Sequence, residues 1–133
     1  MGAERLVPIR ADVDIVTARQ ESRRLASTLG FSTGDLTVIA AAVSEVARNI
    51  LAYAAQGEVD IKLVERNGRR GVLVIARDQG PGIPDVALAL QDGFSTSGSL
   101  GLGLPGARRL MDEFELTSEL GRGTVVTMRK WVR

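Results

Sequence analysis

The chain has 133 residues, 44% hydrophobic and 25% charged, and its 17 basic and 16 acidic residues leave a net charge of +1. That length suits one domain with a real core, and the balance excludes a disordered chain or a surface built for bulk nucleic-acid or membrane electrostatics. Cysteine and histidine are both absent, which excludes disulfides, thiolate metal sites, cysteine nucleophiles, Ser-His-Asp hydrolysis and phosphohistidine.

The first element is "ERLVPIR", a short strand that Pro8 assigns to a sheet edge. From Asp14 to Leu29 the positions Ile15, Ala18, Ser22, Leu25, Ala26 and Leu29 follow helical spacing, and Gly30 ends that helix. Ser32 with Asp35 three residues on resembles a capping box that opens a second helix, Thr33 to Ala54. "EVDIKLVE" and "GVLVIAR" are strands joined at Asn67-Gly68, a strong hairpin signal. A long loop follows from Asp78 to Gly101, then a helix from Leu104 to Asp112. Last come "EFELTSE", the turn "LGRG" and "TVVTMRKWV", again hairpin-like. Hairpins without regular βαβ alternation predict an α+β fold: a mixed, mostly antiparallel sheet with helices packed on one face, over residues 1–133. No apolar run approaches the length of a membrane span and "MGAERLVPIR" lacks a signal-peptide core, so the expected location is cytoplasmic.

The second helix carries the first chemical signal. With Leu36 at zero, Ile39, Ala40, Val43, Ala47, Ile50 and Leu51 fall within roughly 60° of the core direction, at about 100° per residue. Glu45 and Asn49 fall on the opposite face, one turn apart, among Val38, Ala41, Ala42 and Ala52. Such a face admits something close to the helix. A carboxylate beside an amide oxygen suits a general base next to a Mg²⁺ ligand; an ordinary exposed polar pair is the alternative.

The second signal is glycine. "VLVIARDQGPGIP" is a strand that ends on Asp78 and turns at once through Gly80 and Gly82. Asp78 there can accept from an exocyclic amine such as that of adenine, or simply cap the turn. "GFSTSGSLGLG" spends backbone entropy on bare amides just before a helix that Pro105 helps start, which suits either an anion cradle or a flexible surface loop. The Walker and Rossmann patterns are absent. "GRGTVV" sets Gly123 and Thr124 at the head of the last strand.

In this order (E-x-x-x-N helix, D-x-G-x-G, loop, G-x-G before a helix, G-T on a strand) the motifs resemble the GHKL, or Bergerat-fold, nucleotide-binding superfamily over nearly the whole chain. Gyrase-like, chaperone and sensor-kinase branches are expected to need more chain or a phosphoacceptor histidine. "VDIVTAR", "AVSEVARNI", "DQGPGI", "DGFSTSGSLGLGLPGARRLMDEF" and "KWV" resemble the free-standing serine/threonine switch kinases of the bacterial stressosome, relatives of anti-sigma-factor kinases.

That resemblance implies an ATP- and Mg²⁺-dependent protein kinase of the general stress response. Glu45 would be the catalytic base and Asn49 the Mg²⁺ ligand, with Asp78 on the adenine amino group. Gly80, Gly82, Ile83 and Thr124 would complete that end of the pocket. Ser97, Gly98, Gly101, Leu102 and Gly103 would hold the phosphates within a lid running from Ile83 to Leu100. Arg48 and Arg108 are candidate phosphate contacts, the lid itself holding no lysine or arginine. The implied substrates are STAS-domain scaffold or antagonist proteins, with a phosphatase regulatory domain as alternative partner. Outward-facing Arg19, Arg23 and Arg24 form either a docking surface or an ordinary charged face. A nucleotide-regulated binding module or anti-sigma factor is the competing class.

Overall fold

In the computed structural model, residues 3–83 and 103–133 are described. Strand β1 (Glu4–Ile9) leads into helix α1 (Asp12–Ala26), a single 3₁₀ turn (Ser27–Leu29) and helix α2 (Thr33–Ala54). Strands β2 (Gly57–Arg66) and β3 (Arg69–Asp78) follow, then helix α3 (Gly103–Leu110) and strands β4 (Glu113–Glu119) and β5 (Gly123–Trp131).

Local chemistry sets these boundaries. The Asp14 carboxylate accepts from the backbone amides of Arg10 and Ala11 at 2.8 and 3.1 Å, which caps α1 two residues before the expected start. Ser32 Oγ accepts from Asp35 N at 3.1 Å, as its capping role predicts. Asn67 and Gly68 both have positive φ, 53° and 78°, so the β2–β3 hairpin turns as its sequence says.

The sheet order is β1-β2-β3-β5-β4, which places Pro8 on an edge strand as expected. The predicted mixed sheet is corrected: among the described strands every pairing is antiparallel. The physical reason is that β4 turns back into β5 by a hairpin, and β5 then enters the sheet beside β3 rather than at an edge.

Register brings Val7, Val59, Ala76, Val126 and Leu116 into one row across all five strands, with Ile61, Val74, Met128 and Phe114 in the next. These rows face the helices and, with Ile39, Val43, Ala47 and Ile50 of α2, make the core. Each fully buried branched aliphatic side chain there contributes about 1.5–3 kcal/mol.

Helix α2 is central, packed against both α1 and α3. Its sequence-predicted open face is therefore narrower than expected. Ala42 is fully buried and Val46 nearly so, whereas Ala41 and Ala52 remain exposed. At 22 residues, α2 is also long and apolar enough by length and composition to cross a membrane. This corrects the reading that no segment reaches that length. In the fold α2 is the helix around which the other elements pack.

Helix α3 stops at Leu110, two residues short of expectation. Asp112 N donates to Arg129 O at 2.9 Å and its carboxylate accepts from Trp131 N at 2.8 Å, which draws the chain into β4. Lys130, only 9% exposed, donates from Nζ to the Leu110 carbonyl at 3.0 Å and closes that helix end.

Candidate functional site

At one end of the site Glu45 projects from the middle of α2 with its side chain 13% exposed. Both carboxylate oxygens are engaged. Oε1 accepts from Arg48 Nη1 at 2.7 Å, and Oε2 accepts from Gly103 N, the first amide of α3, at 2.9 Å. The α2 sequence thus delivers a carboxylate to the head of the glycine-led helix, where the macrodipole favours negative charge. Asn49 lies one turn further along α2 and is half-buried.

At the other end β3 delivers Asp78, 8% exposed, between Gly57 of β2 and Thr124 of β5. Its Oδ1 accepts from Gly80 N at 3.0 Å, so Asp78 does cap its own turn; among the described residues Oδ2 makes no hydrogen bond. A Cβ built on Gly80 would come within 2.5 Å of the Ala54 Cβ, which is why only glycine lets this turn lie against the end of α2. Gly82 (φ +83°) lies against the backbone of Glu119, and Pro81 O accepts from Gly121 N at 2.9 Å. The D-x-G-x-G turn is thereby pinned to the β4–β5 turn.

Thr124, 3% exposed, shares a hydrogen bond at 3.0 Å with Ser118 Oγ, which accepts from Ile83 N at 2.7 Å. Ser118 is a site residue that sequence reasoning missed. Its signal was a polar residue at a helix-facing position of β4, after Phe114 and Leu116 and in register with Thr124. Gly57 was also missed: a Cβ there would stand 2.8 Å from Ile50 Cγ2 and 3.1 Å from Asp78 Cβ, so its bareness lets α2 and Asp78 converge.

The site is a strip along α2. Gly80 abuts Ala54, nine residues and about 13 Å of helix rise from Glu45, with Asn49 between. Donors for an anion stand at one end and a buried carboxylate for a base edge at the other. A cleft of about 570 Å³ also touches Asp78, but its further walls include Arg10, Glu58 and the β3 residue Arg77, and neither Ile83 nor Thr124 lines it.

Of the remaining expectations, Arg48 is committed to Glu45 and Arg108 is exposed on α3. Ser97, Gly98, Gly101, Leu102 and the lid segment beyond Ile83 lie outside the described residues. The three α1 arginines divide. Arg24 pairs with Glu21 at 2.8 Å, Arg23 donates to Thr37 at 3.3 Å, and Arg19 lines with Arg23 a groove of about 430 Å³ that ends at Glu45 and Arg48.

A model of the histidine kinase-like ATPase domain matches residues 8–130. The chain belongs to that family. Within this ATPase family it is 51% identical, over the whole length of both chains, to the serine/threonine-protein kinase RsbT of Bacillus subtilis. It is 34% identical over 106 residues to an anti-sigma F factor of Geobacillus stearothermophilus, covering 74% of this chain and 71% of that one. Among solved structures the RsbU and RsbW domains of a Mycobacterium tuberculosis protein superpose with a TM-score of 0.66 at 19% identity, covering 98% of this chain and 33% of that one. The mycobacterial sensor histidine kinase MprB gives 0.59 at 20% identity, covering 98% and 99%; both likenesses speak to the ATPase fold. The full-length identity to RsbT makes this chain an ATP-using serine/threonine protein kinase, and the anti-sigma F relatives place it with the partner-switching type.

Proposed function

We propose that the chain transfers the γ-phosphoryl group of ATP to a serine or threonine of a STAS-domain scaffold or antagonist protein in a stressosome circuit, and that once released it activates a downstream phosphatase. The observation that carries this reading is the strip along α2, with Glu45 at the head of α3 and Asp78 at the far end. Full-length similarity to RsbT supports it.

In this reading Asp78 accepts from the adenine amino group through its spare oxygen, with Gly80, Gly82, Ile83 and Thr124 closing that end. Gly103 orients the phosphates, together with Ser97, Gly98, Gly101 and Leu102 of the glycine-rich motif. Glu45 takes the proton of the acceptor hydroxyl as its oxygen bonds to the γ-phosphorus, and the bond from that phosphorus to the β-phosphate oxygen breaks, releasing ADP. Positioning and charge neutralisation suffice for such a transfer.

The donor set fits Mg²⁺. Among the described residues there is no cluster of three metal-binding side chains, and Asn49 offers one half-buried amide oxygen of the kind a hard cation accepts alongside phosphates and water. Asn49 would hold the ion, which when bound neutralises phosphate charge. The expected location is the cytoplasm.

Mass spectrometry of a STAS-domain partner after incubation with the protein and Mg·ATP tests this. One phosphate gained on a serine or threonine, and lost with Asn49→Ala, is the expected result. ATP bound but no phosphate gained would favour the second reading, an anti-sigma factor or nucleotide-regulated binding module, to which the anti-sigma F relatives point.

A further inference from the structure

Glu45 is asked to do two things that its present contacts separate. As a base it must turn an oxygen toward an incoming hydroxyl. Here Oε2 sits instead on Gly103 N, at 2.9 Å, the amide at which the proposed reading puts phosphate. The contact joins residues that are 58 apart in sequence and sets a full negative charge at the positive end of α3.

A phosphate oxygen brought to the same amide would share one proton with that carboxylate, two anions within a few ångströms in a partly buried place, where repulsion is weakly screened. The two cannot both stay. Oε1 has a different partner, the Arg48 guanidinium at 2.7 Å, which comes from the same helix and does not depend on α3.

We propose that the Glu45 carboxylate competes with nucleotide phosphate for the Gly103 amide and is released as a proton acceptor when phosphate displaces it, Arg48 holding the other oxygen throughout. This rests on the nucleotide reading above. Glu45 is then both a stopper and a base, and Arg48 is a positioning residue rather than a phosphate ligand. The arrangement keeps the base engaged until a phosphate chain is in place.

The test is calorimetric titration with ADP and, separately, adenosine, in EDTA so that no divalent ion contributes. Glu45→Gln keeps the shape and removes the charge. The expected result is ADP binding about tenfold tighter than wild type, the order of a charge-assisted contact at a helix end, with adenosine binding unchanged. The Gly103 amide resonance should shift in this variant and on ADP addition, but not with adenosine. Unchanged or weaker ADP binding by Glu45→Gln would overturn the competition while leaving the nucleotide reading intact. Wild-type protein that binds neither compound would overturn both.

Arg48→Gln supplies the second arm. Its kcat should fall with ADP affinity changed less than about threefold, and Arg48→Lys should restore part of the rate, because an ammonium supplies charge without the planar fork. A loss of ADP affinity as large as the loss of rate would make Arg48 a phosphate ligand and remove the pivot.

Discussion

At the scale of single residues, the site is held by polar atoms that have few alternatives. Ser118 is the best example, because one hydroxyl serves both Ile83 N and Thr124 Oγ1. Ser118→Ala strands a part-buried amide and should cost about 1–3 kcal/mol of stability, read as a shift of the urea midpoint. A shift below a few tenths would mean that Ile83 N finds another acceptor. Asp78, Thr124, Glu45 and Asn49 were legible from the sequence because each sits at a fixed place in a motif. Ser118 and Gly57 were not, since their roles come from cross-strand register and from the approach of Ile50, which no local pattern encodes. The Glu45–Gly103 contact was equally hidden: it needed the packing of α3 against α2.

At the scale of elements, the sequence marked every described strand and helix, and the errors lie where tertiary contacts override local preference. The helical wheel of α2 assigned Ala42 to an open face, yet the residue is fully buried in a helix that packs against α1, α3 and the sheet. A wheel knows the angle of a side chain but not how many neighbours its helix will have. The end of α3 was misplaced because it is fixed by β5, through Lys130 Nζ on the Leu110 carbonyl. That contact anchors, from β5, the tail of the helix whose first amide, Gly103 N, meets Glu45. Lys130→Met removes the donor from a mostly buried position, and a loss of about 1–2 kcal/mol is expected. Hydrogen exchange should show the amides at the end of α3 opening first; uniform protection across α3 would refute the cap.

At the scale of the molecule, charge pairs cluster at the outer end of the sheet. Glu113 accepts from the Trp131 indole N–H at 2.8 Å and from Arg66 at 2.7 Å, with Arg129 at 3.3 Å. The indole hydrogen bond and then Arg66 hold its carboxyl below the ordinary value, and Arg24 with Arg5 does the same for Glu21. A depressed folded pKa contributes stability that is fully present above the unfolded value, about 4.3, and is lost as pH falls through the folded one. Thermal stability should therefore decline below about pH 4.3. Glu113→Gln should flatten that decline while lowering stability at neutral pH. A wild-type acid limb in the variant would show that other carboxylates govern it.

Trp131 is the only tryptophan, almost buried, with the Arg66 guanidinium 4.7 Å from its ring centroid. It lies seven positions along β5 from Thr124, about 23 Å at the rise of a strand, on the sheet face turned away from the helices. The molecule therefore carries an optical reporter insulated from its own candidate site. Intrinsic fluorescence will follow unfolding and the protonation of Glu113, and stay silent while a nucleotide comes and goes.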